Sequence, residues 1–262
     1  MTTPLRDRWT NGDTTLGGWL ATPSTVMAEA TARAGFDYVC VDTQHGAIEY
    51  SDAVGLIQAI LLGGSSPVVR VPWNEPGIIG KMLDAGAHGV IVPMVNSVQE
   101  AQSAVGSCRY APHGSRSYGP SVAGLRTADY TAWAADHVAV IPMIETRRAV
   151  DDIDRILAVP GIDAVYVGPA DLSLTLGLPP GNNDDEPAFA DAYTTIVEAC
   201  DRAGIVAGCH ANGVLTPKRV DAGFRMVTVT TDLVAAKLGF AAELDLARPN
   251  AAGEPASPAG PY

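Results

Sequence analysis

Eight times along this chain a short apolar run gives way to a turn and then to a stretch with helical spacing, and that rhythm limits the fold more than any other feature. The runs are 16–20, 38–42, 67–71, 86–92, 138–144, 164–167, 206–209 and 226–230. An unbroken run such as Tyr38-Val39-Cys40-Val41 suits a strand covered on both faces in a parallel sheet. Ser24, Ser51 and Ser97 stand where helix N-caps are expected, and Gly63-Gly64 where a helix would end. Eight strand-then-helix units predict an α/β fold, the (β/α)8 TIM barrel. An open doubly wound sheet usually has fewer strands, and the G-x-G-x-x-G phosphate fingerprint is absent after the first run. One barrel domain is expected over residues 1–248, followed by a disordered Pro-, Gly- and Ala-rich tail over 249–262.

The chain is long enough for such a barrel, at 262 residues, and its 47% hydrophobic content can supply the core. A net charge of -12 argues against attraction to nucleic acid or to an anionic membrane. An anionic substrate must then be held by a local cation. No run reaches the roughly eighteen apolar residues of a membrane span, and the first fifteen residues lack the apolar centre of a secretion signal. A cytoplasmic protein is expected. Cys40, Cys108, Cys200 and Cys209 have no C-x-x-C spacing and are read as reduced packing residues.

In a barrel of this kind the strand C-termini converge on one mouth, where the chemistry sits. The candidates there are Asp42 and His45 after the second run, Arg70 at the third, Glu145 after the fifth, Asp171 after the sixth and His210 after the seventh. Glu145 and Asp171 leave adjacent strands, and two carboxylates with open positions beside them suit Mg²⁺ or Mn²⁺. Arg70 can hold a carboxylate or a developing enolate oxygen, and the imidazole of His45 is the side chain suited to general-base work near neutral pH. Simpler roles compete: Asp42 could cap its turn, Arg70 could serve only as an ion-pair partner, and Asp84 could merely end a helix. His210, His113 and Arg116 have no assigned role, and His88 and His137 fall on the side away from the mouth. The only lysines, Lys81, Lys218 and Lys237, lie in predicted helices, which argues against a Schiff-base aldolase. Residues 109–130 form a long Gly-rich segment without periodicity, expected to be a functional loop or a contact with a neighbour.

In this order and spacing, F-D-Y-V-C-V-D-T-Q-H-G, V-V-R-V-P, K-M-L-D-A-G-A-H-G-V-I-V-P, R-Y-A-P-H-G-S-R, I-P-M-I-E-T and V-G-P-A-D-L-S resemble the HpcH/HpaI family of class II pyruvate aldolases. The resemblance spans about residues 16–246. It implies a barrel whose last helix is swapped between subunits of a homo-oligomer, usually a hexamer built from dimers. It implies a divalent ion, Mg²⁺, Mn²⁺ or Co²⁺, on Glu145 and Asp171, with Arg70 stabilising an enolate. His45 would be paired with an acid carried over as Asp84 and would assist proton transfer. Backbone N–H groups of the Gly168, Pro169, Ala170 and Asp171 turn would bind the substrate carboxylate.

The implied reaction cleaves a 4-hydroxy-2-keto acid to pyruvate, or hydroxypyruvate, and an aldehyde. An oxaloacetate decarboxylase, a malyl- or citramalyl-CoA-type lyase and a non-catalytic keto-acid-binding barrel are the alternatives. Gln44 stands where some members carry an acid and Met143 where many carry glutamine, which bears on aldehyde preference and removes no ligand.

Overall fold

A computed structural model describes residues 3–248, so the expectation of a disordered tail over 249–262 lies outside the described residues. A helix, Leu5–Thr10 (α1), precedes Thr15–Leu20 (β1) and Thr25–Arg33 (α2). Tyr38–Asp42 (β2), Tyr50–Gly63 (α3), Ser66–Arg70 (β3) and Pro76–Asp84 (α4) follow. Next come Gly89–Val92 (β4), Val98–Cys108 (α5), Tyr130–His137 (α6) and Ala139–Pro142 (β5). Arg147–Asp151 (α7), Ile153–Leu157 (α8), Ala164–Val167 (β6) and Pro169–Thr175 (α9) lead to Pro187–Ala203 (α10). Val206–His210 (β7), Thr216–Asp221 (α11), Met226–Thr231 (β8) and Asp232–Ala247 (α12) complete the described chain.

The eight strands form one sheet in the order β5-β4-β3-β2-β1-β8-β7-β6, with every pairing parallel. The outer strands meet through a parallel bridge between Met143 and Tyr166, where Ile144 N–H donates to the Tyr166 carbonyl at 2.9 Å. The sheet is thus a nearly closed (β/α)8 barrel.

Two cores follow from the period of two along a strand. Val39, Val41, Val69, Val90, Val140, Val165 and Val227 point outward into the layer shared with the helices. Their neighbours Trp19, Tyr38, Cys40, Val68, Ile91, Ile141, Tyr166 and Met226 fill the barrel interior. The Tyr38 ring occupies the space that Gly17 leaves, and a Cβ at 17 would overlap it. Below the strands, α1 closes the foot: Leu5 and Trp9 join the interior cluster, and Trp9 Nε1 donates to Thr15 Oγ1 at 3.1 Å.

Several local expectations are corrected. The first fifteen residues, outside the eight strand-then-helix units, contain α1, because Leu5 and Trp9 find the open foot of the barrel to fill. Ser51 is not a cap: the Asp52 carboxylate accepts Glu49 N–H at 3.0 Å, so α3 starts at Tyr50. Residues 109–130 do form mostly irregular structure, but a helix follows at α6, capped by the Asp129 side chain accepting Ala132 N–H. The helical stretch after Glu145 breaks at Asp152 into α7 and α8. The G-P-A-D-L-S segment opens α9, since Pro169 has the fixed φ and missing N–H that a first helical position favours.

The last helix differs from the others. From Lys237 onward every described residue of α12 is exposed, including Leu238, Phe240, Leu244 and Leu246. Among the described residues, no helix is long and apolar enough to cross a membrane.

Candidate active site

The same period that packs the interior also aims the polar residues. Asp42 continues the inward series Tyr38, Cys40; Arg70 continues Val68; Glu145 continues Ile141, Met143; His210 continues Val206, Gly208. At the strand C-termini these side chains meet in one cleft, which Arg70, Glu145, Asp171 and His210 line together with Trp19 and Tyr166. The cleft is small, about 20 Å³, little more than the room one water takes. A larger hollow beside Arg109 and Tyr110 lies at the foot of the barrel, remote from these carboxylates. We assign the chemistry to the mouth, where the ionisable groups converge.

Arg70 and Asp42 form a buried two-pronged pair: Nε donates to Oδ1 at 2.9 Å and Nη2 to Oδ2 at 2.5 Å. Trp19 Nε1 donates to the same Oδ2 at 3.1 Å, and its ring lies 4.9 Å from the guanidinium carbon. Asp42 Oδ1 also accepts the N–H groups of Gln44 and His45. The aspartate therefore does cap its turn, and the same carboxylate fixes the arginine. Burial would raise the Asp42 pKa, but the hydrogen bonds and charge of Arg70 outweigh it and hold the carboxyl below its ordinary value.

Glu145 is buried at 2% exposure. Its Oε1 accepts the N–H of Met94 at 2.8 Å, a residue held at φ 56, a left-handed backbone uncommon outside glycine. Its Oε2 lies against the backbone of Gly168, where any Cβ would collide with it. Burial pushes the Glu145 carboxyl up to about 7; the Met94 N–H opposes, the Asp171 charge adds and the Arg70 charge opposes. Asp171 stands in the first turn of α9, the helix that begins two residues after β6 ends.

His45 sits exposed on the turn after β2. Asp84, the last residue of α4, precedes β4 and so lies at the foot of the barrel, opposite the mouth. There it pairs with Arg116 at 2.6 Å, and burial raises its carboxyl while Arg116 opposes. Within one chain, His45 and Asp84 are not brought together. Arg116, without a role in the sequence, is this buried partner, stacked on Tyr110 and Tyr130.

Trp19, Met94 and Tyr166 are site residues that sequence reasoning did not name, whereas His210 was placed at the mouth without a role. The only available signal was position: Trp19, Tyr166 and His210 each lie at or near a strand's C-terminal end. The Met94 contact depends on a loop conformation that no local pattern announces.

The chain matches the HpcH/HpaI aldolase/citrate lyase family over residues 15–234. A hydroxypyruvate/pyruvate aldolase of Rhizorhabdus wittichii is 42% identical over 232 residues, covering 87% of this chain and 92% of that protein. A protein of the same name from Paraburkholderia phytofirmans is 37% identical, covering 89% of this chain and 93% of its own length. The crystal structure of an HpcH/HpaI aldolase/citrate lyase family protein from Burkholderia cenocepacia superposes with a TM-score of 0.87 at 32% identity, covering 93% of this chain and 98% of that one. With the barrel and the mouth-side carboxylates in agreement, the chain belongs to the HpcH/HpaI aldolase/citrate lyase family.

Proposed function

We propose that the protein is a divalent-metal-dependent aldolase that cleaves a 4-hydroxy-2-keto acid to pyruvate or hydroxypyruvate and an aldehyde. The observation that carries this reading is Glu145, a buried carboxylate with Asp171 nearby and its Oε2 cradled by Gly168. Such a carboxylate is costly without a cation, and the donor set fits one. Two carboxylates leave open positions that a hard cation fills with water and substrate oxygens. Mg²⁺, Mn²⁺ or Co²⁺ held by Glu145 and Asp171 would supply Lewis acidity toward a carboxylate and a keto oxygen.

The protein's own residues supply the rest. The Gly168, Pro169, Ala170 and Asp171 turn seats the substrate carboxylate; Pro169 has no N–H, so the donors are the first-turn amides that lack helical partners. Arg70, locked by Asp42 and Trp19, meets the C2 oxygen as negative charge develops, and because it is already oriented it need not reorganise during reaction. Asp42 positions this arginine. His45 assists removal of the C4 hydroxyl proton; the C3–C4 bond breaks, the aldehyde leaves, and the electron pair passes into the C2 oxygen to give the enolate, which is then protonated at C3.

A homo-oligomer with α12 exchanged between copies accounts for the exposed Leu238, Phe240 and Leu244 on a helix that its own barrel leaves uncovered. Asp84 can join His45 only from a neighbouring copy. The test is pyruvate release from a panel of 4-hydroxy-2-keto acids and from oxaloacetate, using protein stripped with EDTA before and after Mg²⁺, Mn²⁺ or Co²⁺ is restored. Metal-restored aldol cleavage supports the reading. Decarboxylation of oxaloacetate alone would favour a decarboxylase, and absence of turnover with every metal would overturn the proposal.

A further inference from the structure

His210 closes β7 at the cleft and is held from behind by the barrel interior. Its ring packs edge-on against Trp19 with centroids 5.2 Å apart, and its Nδ1 lies 3.4 Å from the Tyr166 hydroxyl. Tyr166 is itself 2.6 Å from Thr228 Oγ1, which is 3.0 Å from the Tyr38 hydroxyl. A buried row of hydroxyls thus reaches from the second strand's start to the mouth and fixes one face of the imidazole. The other ring nitrogen, Nε2, has no hydrogen bond among the described residues, while His210 borders the same cleft as Arg70, Glu145 and Asp171.

We propose that His210 is a specificity-determining residue whose Nε2 hydrogen-bonds a hydroxyl group on a carbon at, or next to, the bond that is made or broken. Three observations favour a hydroxyl over a carboxylate. Arg70 stands close by and Asp42 already occupies it, so a second anion-binding cation is not what this wall supplies. Burial, reinforced by the Arg70 charge and opposed by Asp42, pushes the His210 pKa down to about 4, so the ring is neutral at pH 7. Finally, a neutral imidazole offers either one donor or one acceptor at Nε2, according to its tautomer. A hydroxyl complements both, whereas a carboxylate or keto oxygen complements only a donor.

The hydroxyl has two possible sources: C3 of the keto-acid donor, as in hydroxypyruvate, or the carbon next to the aldehyde, as in glycolaldehyde. This inference rests on the aldolase reading. The test measures kcat/KM in the synthetic direction for pyruvate and hydroxypyruvate, each with acetaldehyde and glycolaldehyde, in the wild type, His210→Phe and His210→Gln.

His210→Phe keeps a ring against Trp19 and removes both nitrogens; His210→Gln keeps a polar group of similar reach. In His210→Phe, the preference for the hydroxylated partner over its deoxy counterpart should fall about tenfold, the effect of one lost hydrogen bond to substrate. It should fall along the donor arm or along the aldehyde arm, and that arm identifies the source. His210→Gln should stay within about threefold of the wild-type preference. Unchanged preference in both arms of His210→Phe, or an equal fall in His210→Gln, would overturn the assignment and leave His210 a packing residue. A metal-loaded wild type that turns over none of the four pairs would overturn the aldolase reading itself, an outcome distinct from an active wild type with unaltered preferences.

Discussion

Glu145 and Asp42 show how the same group, a carboxyl, is driven in opposite directions by what lies beside it. Asp42 shares its burial with Arg70, and its carboxyl is held low. A depressed folded pKa stabilises the fold above the unfolded value near 4, and that contribution is lost as pH falls through the folded value. Asp42→Asn should therefore cost about 3 kcal/mol at pH 7 by leaving Arg70 without its anion. The gap from the wild type in denaturant titrations should shrink below about pH 4; a gap that persists there would mean that packing, not charge, is lost. Glu145 runs the other way, pushed up to about 7. In metal-free protein the raised pKa favours the fold fully below the unfolded value near 4.5, and that advantage is lost as pH rises through about 7. Thermal midpoints of EDTA-treated protein should thus decline between pH 5 and pH 8 by an amount that Glu145→Gln removes. The same substitution, or Asp171→Asn, should weaken Mn²⁺ binding by at least about tenfold in calorimetry, and unchanged affinity would refute the ligand assignment. His45→Ala should lower kcat by about 100-fold with KM little altered; a change in KM alone would remove it from proton transfer.

At the scale of elements, strand ends and the loops after them set the site's precision. The β6–α9 junction needs Gly168 because Glu145 Oε2 occupies the place of a side chain. Gly168→Ala should shift that carboxylate and reduce metal affinity and turnover together while leaving the circular dichroism spectrum unchanged; retained affinity would show that the junction has slack. Strand β2 was legible residue by residue, because Tyr38-Val39-Cys40-Val41 is apolar on both faces and Asp42 stops the run. Loop contributions were not. Met94 reaches Glu145 across 51 positions of sequence, and Arg116 meets Asp84 across 32; neither partner carries a local pattern pointing to the other. Helix α1 was likewise invisible, since two apolar residues in a short polar segment acquire meaning only where a barrel foot stands open to receive them.

At the scale of the molecule, α12 is a helix for which its own barrel offers little cover. Phe240→Glu with Leu244→Glu should yield a smaller species in light scattering than the wild type, with the barrel still folded; an unchanged mass would exclude α12 from the interface. The sequence by itself determined the eight-unit rhythm, the absence of a barrel lysine and the positions of Asp42, Arg70, Glu145 and Asp171 at strand ends, because those depend on short-range periodicity and on where each run stops. Only the tertiary structure decided that Asp42 fixes Arg70, that Trp19 packs against both Arg70 and His210, and that Asp84 lies at the far end from His45. Those relations arise from closing the sheet: parallel neighbours bring residues from distant positions of the chain to one level, and their charges, burial and hydrogen bonds exist only once they are there.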